Sequence, residues 1–157
     1  MSIKRIFVEK KKGCDIEASQ LFADIKENFE ISALEGLRIL YRYDVEDISD
    51  DAFAVAEKTI FSEPPVDNVY LEKFDMAEDE VAFGMEYLPG QYDQRADSAM
   101  QCVQIISGDD NAVINAAKIF VLKGKLTVGD IEKIKNYCIN PVDSREASME
   151  KPETLRM

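Results

Sequence analysis

The chain has 157 residues, 46% of them hydrophobic and 32% charged, which is the composition of a soluble globular protein rather than of a disordered segment. With 31 Asp and Glu against 19 Lys and Arg, the net charge is −12. Nucleic acid and anionic membrane are therefore not expected as partners, since both draw affinity from clustered cations. There is no histidine, which removes the commonest general base and metal ligand.

Taken in order, residues 3–10 read as a strand whose Lys10-Lys11-Lys12 end is a solvated basic run. Its apolar stretch, Ile6-Phe7-Val8, is too short for a signal-peptide core. Residues 15–29 read as a helix, with Ala18, Leu21, Phe22, Ile25 and Phe29 on one face. Leu34 to Ile48 is rich in β formers and long enough for a hairpin. Ser49 can cap a helix over 50–61, which Pro64-Pro65 stops. Val66 to Phe74 reads as a strand, followed by a short acidic linker over 75–80.

The order then recurs. A strand is expected over 81–88, a turn at Pro89-Gly90 and a helix over 92–107, ended by Ser107-Gly-Asp-Asp-Asn111. Val113 to Gly124 follows as a second hairpin, then a helix capped by Thr127 and running to Ile139, and a last strand from Pro141. Gly13 and Gly90 lie 77 residues apart, Asp15 and Asp93 lie 78 apart. At that shift of 78, Ala18, Leu21, Phe22 and Ile25 fall on Ala96, Ala99, Met100 and Val103. Phe53, Ala56 and Ile60 likewise fall on Ile131, Ile134 and Cys138, and Pro65-Val-Asp67 reappears as Pro141-Val-Asp143. Such a shared register implies one supersecondary unit used twice. The expected fold is α+β: tandem duplicated ferredoxin-like halves (βαββαβ) related by a pseudo-twofold axis, with antiparallel sheets each covered by their own pair of helices. The halves span 1–74 and 81–149, and 150–157 is a polar tail.

Chemistry is sparse. No phosphate-binding glycine loop or dinucleotide fingerprint occurs. Cys14, Cys102 and Cys138 are odd in number and lack zinc-ligand spacing. They suit a reducing, cytoplasmic setting, and Cys102 and Cys138 read as small core residues on helices. Acidic clusters such as Asp44-Val-Glu-Asp47 lack the glycine and twelfth-position Glu of a calcium loop. No catalytic, cofactor-binding or metal-binding residue is assigned. One segment stands out, Pro89-Gly-Gln-Tyr-Asp-Gln-Arg-Ala-Asp-Ser98. A capped helix start explains Gly90, Asp93, Ala96 and Asp97. It does not explain Arg95, a cation disfavoured in a first turn, or the planar cluster Gln91, Tyr92 and Gln94 around it. These four residues are the candidate domain interface, against the plainer alternative of a solvated surface.

The chain resembles, over essentially its whole length, the N-terminal region of the phosphoribosylformylglycinamidine synthase family. The resemblance rests on Arg5-Ile-Phe-Val-Glu-Lys-Lys-Lys-Gly13, Phe61-Ser-Glu-Pro-Pro-Val-Asp-Asn68, Leu88-Pro-Gly-Gln-Tyr-Asp-Gln-Arg-Ala-Asp-Ser98 and Asn140-Pro-Val-Asp-Ser-Arg-Glu-Ala-Ser148. Each half also resembles the small structural subunit of the split form of that enzyme, which makes the duplication a fused pair. The resemblance implies a parent ligase of purine biosynthesis that makes the amidine with ATP and glutamine. ATP and magnesium would belong to a synthase domain and a Cys-His-Glu triad to a glutaminase domain. Neither domain fits here, so this region is expected to be inactive alone, with no cofactor of its own. Its partners would be the synthase and glutaminase domains of the same polypeptide, reached through the tail at 150–157. Two other readings stand beside this one: a small-molecule regulatory domain of the ACT type, and a free-standing acidic assembly module.

Overall fold

The computed structural model describes residues 3–108 and 111–156. Asp109 and Asp110, placed above in the break after the third helix, lie outside the described residues, as does Met157 of the tail. The chain runs β1 (Lys4–Lys10), α1 (Ile16–Phe29), β2 (Gly36–Glu46), α2 (Asp50–Thr59), β3 (Asp67–Leu71), then β4 (Glu80–Tyr87), α3 (Gln94–Ser107), β5 (Val113–Lys123), α4 (Val128–Cys138) and β6 (Ser144–Ala147). The fold is α+β, with one six-stranded antiparallel sheet in the order β3-β1-β2-β5-β4-β6 and four helices. That arrangement is compatible with ferredoxin-like architecture.

Two expectations about the strands need correction. Each expected hairpin is a single strand of 11 residues, so each half contributes three strands rather than four. Between Leu37 and Glu46 there is no Gly, Asn or Pro to turn the chain, and the pairing with β5 runs unbroken. The expected two sheets are also one sheet. β2 pairs with β5 along its full length, from Gly36 opposite Lys123 to Glu46 opposite Val113. Two edges that would otherwise present unpaired N–H and C=O groups are thereby consumed.

Because the halves join through β2 and β5, the helices mix rather than covering separate sheets. Ala18 and Ile25 of α1 share a core with Ile134 of α4 and with Ile39, Phe83, Phe120 and Leu122 of the sheet. Ala56 of α2 shares another with Ala96, Ala99 and Val103 of α3 and with Ile6, Val8, Tyr43 and Val45. The helix starts follow their caps. Ser49 accepts from the Ala52 amide, Asp93 from Ala96, and Thr127 forms a reciprocal capping box with Asp130.

The strand registers of the two halves coincide under a shift of 77 residues. Lys4 faces Val45 on β2, and Val81 faces Leu122 on β5. Phe7 faces Tyr70 on β3, and Gly84 faces Ala147 on β6. Tyr41 and Lys118, themselves 77 apart, face each other at the middle of the β2–β5 pair. The helices follow a shift of 78: α1 begins at 16 and α3 at 94. Gly13 and Gly90 hold the matching turns at φ of 92° and 91°, a left-handed backbone that suits glycine.

The sheet face opposite the helices is also covered. Phe7, Leu40, Ala117, Ile119, Val121 and Ala147 form a third core there. The 75–80 linker does not float free, since Glu80 begins β4 and Phe74 just before the linker packs on Phe7 with ring centroids 4.9 Å apart. The tail is not a loose linker start. Ser148 and Met149 accept hydrogen bonds from Arg42 (2.7 Å) and Arg5 (2.9 Å), and Thr154 donates to Glu46.

Candidate functional site

Of the four candidate interface residues, Gln91, Tyr92 and Gln94 are exposed at the entry to α3. Tyr92 is 70% exposed, and its hydroxyl donates to Asp97 at 3.0 Å. That bond is the main reason its hydroxyl titrates above the ordinary tyrosine value.

Arg95 behaves differently. It is exposed like the other three, but its guanidinium carbon sits over the ring of Tyr41, 3.6 Å from the centroid, and Nη1 donates to the Tyr43 hydroxyl at 3.1 Å. Tyr41 and Tyr43 are two residues apart on β2, so both point to the helix face. Arg95 thus crosses from the first turn of α3 to the central strand of the sheet.

Arg95 stands at the junction of two cavities on the helix face. The larger, about 610 Å³, is lined by Tyr41, Tyr43, Met85, Tyr87, Lys118 and Arg95, with Gln94 at its mouth. The smaller, about 300 Å³, includes Glu17, Lys10 and Asp67. Glu17 and Arg95 occupy corresponding places, each the second residue of its helix. Their surroundings differ. The Glu17 carboxylate accepts from the Tyr41 hydroxyl at 2.7 Å and is ion-paired with Lys118. Burial pushes the Glu17 carboxyl up, but the bonds from Lys118 and Tyr41 outweigh it and hold the group below its usual range. Burial and the bond to Glu17 drive the Tyr41 hydroxyl far up, so it stays protonated as a donor.

Arg95 feels the charge of Glu17 but is not ion-paired with it. Arg5, Arg38, Arg42, Arg145 and Arg156 each lie within 4.0 Å of a carboxylate. Among the described residues Arg95 makes one hydrogen bond and no ion pair. Burial pulls its guanidinium down, yet the Tyr43 bond, the two tyrosines and the nearby Glu17 carboxylate outweigh it and hold the group above its usual value.

The cysteines do not join this network as reactive groups. Cys102 lines the larger cavity but is exposed, not a core residue as its helix position suggested. The buried face of α3 runs through Ala96, Ala99 and Val103, which puts Cys102 on the flank. Cys138 is half-buried, and burial pushes its thiol up to about 11. Among the described residues no three Cys, Asp or Glu side chains gather as metal ligands would, and no helix is long and apolar enough to cross a membrane.

The sequence singled out Arg95 but not its partners. Tyr41, Tyr43, Glu17 and Lys118 come from two strands and another helix, and only the β2–β5 register brings them together. The Tyr41-Arg42-Tyr43 alternation was the available signal, since it presents two hydroxyls on one face. No family model, no curated protein and no solved structure matches the chain.

Proposed function

We propose that the chain is a non-catalytic structural domain of a phosphoribosylformylglycinamidine synthase, built as a duplicated, pseudo-twofold pair of ferredoxin-like units. The observation that carries this reading is the common shift of 77 residues in every strand pairing of the two halves. Chance amphipathic matching has no reason to preserve two registers at once. The four segments quoted above supply the family, and the fused-subunit account supplies a reason for the duplication.

In this reading the domain braces synthase and glutaminase domains in the cytoplasm. ATP, magnesium and the amide-transfer chemistry reside in those domains. Gln91, Tyr92 and Gln94, exposed at the head of α3, form the contact surface. Arg95 borders it and is anchored inward on Tyr41 and Tyr43.

Two measurements test it. Detection of the native gene product should give a mass far above 17.8 kDa, since the catalytic domains are fused to this one. A native product of this mass with no amidotransferase activity in its complexes would sink the proposal. Replacing Gln91, Tyr92 and Gln94 together with Ala should leave the melting temperature of this chain unchanged while lowering glutamine-dependent turnover of the whole enzyme. Unchanged turnover removes the interface assignment. The 610 Å³ cavity favours a second reading, a small-molecule regulatory domain of the ACT type. A thermal-shift screen with amino acids separates it, because a ligand at 100 times its Kd adds about 2.7 kcal/mol to stability.

A further inference from the structure

We infer that the cavity beside Arg95 is a binding site for a small carboxylate carried on a planar or apolar body. The inference stands on this chain alone and does not depend on the parent-enzyme reading.

The first support is charge. In a chain of net −12, every other arginine has found a carboxylate, and the one that has not faces a cavity of about 610 Å³. That volume lies within the range of small-molecule sites. Of the neighbouring charges, Lys118 is paired with Glu17 and Glu86 with Arg145, while the Asp93 carboxylate caps the Ala96 amide and keeps its negative charge. Arg95 is thus the cation of the lining that has no ion pair among the described residues, and with Asp93 and Glu86 also in the wall it suits a singly charged carboxylate better than a phosphate dianion.

Geometry narrows the class further. Seated over Tyr41 and bonded to the Tyr43 hydroxyl, the guanidinium is held at two points. Nη1 is taken by the Tyr43 hydroxyl. The edge carrying Nε and Nη2 has no partner among the described residues, and it is the edge that grips a carboxylate through two parallel hydrogen bonds. Around it, Tyr43, Met85, Tyr87 and Ile60 supply flat or apolar wall, and Thr59 and Ser98 add hydroxyls. A compact body bearing one carboxylate fits both halves of this lining.

The corresponding position in the other half argues the same way. There Glu17 carries a carboxylate that the protein satisfies internally with Tyr41 and Lys118, and the adjoining cavity is half as large. The half that carries the cation has the larger cavity and, among the described residues, no carboxylate ion-paired with that cation.

The test is titration of the isotope-labelled chain with benzoate, phenylpyruvate and indole-3-acetate, followed by NMR. Benzamide and phenyl phosphate serve as the neutral and dianionic controls. At least one carboxylate should shift the resonances of Arg95, Tyr41 and Met85 saturably with a Kd near or below ~1 mM. Benzamide should bind roughly tenfold or more weakly, and Arg95→Gln should cost the carboxylate a similar factor. Arg95→Lys should fail to restore affinity, because an ammonium has no side-on edge. Tyr87→Ala, which keeps Arg95 and removes wall, provides a second variant should Arg95→Gln disturb the fold. Its expected effect is weaker binding of indole-3-acetate than of benzoate relative to the parent chain. No saturable shift with any of the three carboxylates at about 10 mM would overturn the proposal, since binding that weak carries no specificity. Benzamide or phenyl phosphate binding as tightly as the carboxylates, or an unchanged Kd in Arg95→Gln, would overturn it equally.

Discussion

Among single residues, the sharpest energetic contrast lies on the sheet face away from the helices. Arg5 donates to Asp44 through Nε at 2.7 Å and Nη2 at 2.9 Å, with both side chains about 95% buried (4% and 5% exposed). Arg42 lies 4.0 Å from the same carboxylate and is equally buried. One acid therefore serves two desolvated guanidiniums. Arg42 shows the strain of this arrangement, since burial and then the charge of Arg5 lower its pKa. Removing Asp44 leaves two buried cations facing each other. Asp44→Ala is expected to cost about 3–5 kcal/mol in urea unfolding, the range for breaking a buried pair from one side. Arg42→Met should cost far less, about 1 kcal/mol, because it relieves the repulsion with Arg5 and keeps the packing of the aliphatic stem. Equal losses in the two variants would show that Asp44 does not hold the pair together. None of this was legible in the sequence. Arg5, Arg42 and Asp44 look like ordinary outward-facing charges on alternating strands, and the tail that buries them carries no apolar pattern.

At the scale of the elements, the sequence was most informative where periodicity and caps coincide. The faces containing Ala18 and Ile25, Ala56, Ala99 and Val103, and Ile134 are buried as the 3.6-residue pattern requires. Ser49 and Thr127 cap where expected. The reading failed over Gly36–Glu46 and Val113–Lys123 because composition cannot separate one long strand from two short ones. Between Leu37 and Glu46 the lack of a Gly, Asn or Pro marks the difference, whereas Asn115 in the second strand hides it. The helix ends carry a further contrast. α3 closes on Gly108 at φ 67°, whereas α1 closes on Glu30 at φ 51°, also left-handed. A side chain there costs about 1 kcal/mol, and among the described residues the exposed Glu30 side chain makes no hydrogen bond that would compensate. Glu30→Gly should therefore raise the urea midpoint, by about 0.5–1 kcal/mol in stability. A loss of stability would mean that the gain in unfolded-chain entropy exceeds the relieved backbone cost. Gly124 is the opposite case. A Cβ there would sit 2.0 Å from the Ala33 carbonyl oxygen, so the close approach between the two loops admits glycine alone.

For the whole molecule, the two halves are joined in ways that a half-by-half reading of the sequence does not reach. The continuous sheet, the mixing of α1 with α4 and α2 with α3, and the cavity at Arg95 all follow from one edge-to-edge pairing of β2 with β5. The tail adds a second bond between halves, and it does so through its main chain. The carbonyls of Ser148, Met149 and Glu150 accept from Arg42 and Arg5, and the Leu155 amide donates to Glu46. Lys151 reaches the Ile3 carbonyl and the Glu72 carboxylate, and Arg156 reaches Asp47. Main-chain contacts leave no trace in side-chain pattern, which is why a polar stretch with Pro152 resembles a free linker. If the tail is structural, ending the chain after Ala147 should leave far-UV circular dichroism almost unchanged, because the tail contributes no helix or strand. Stability should nevertheless fall by about 2–3 kcal/mol, since buried guanidiniums lose acceptors worth roughly 1.5–3 kcal/mol each and recover part of that in water. Amide exchange should rise first in β1 and β2, whose outward face holds Arg5 and Arg42, while the α1–α4 core on the other face stays protected. An unchanged melting temperature with unchanged exchange at Arg5 and Arg42 would make the tail a passenger, and would leave the burial of Arg5, Asp44 and Arg42 to the sheet itself.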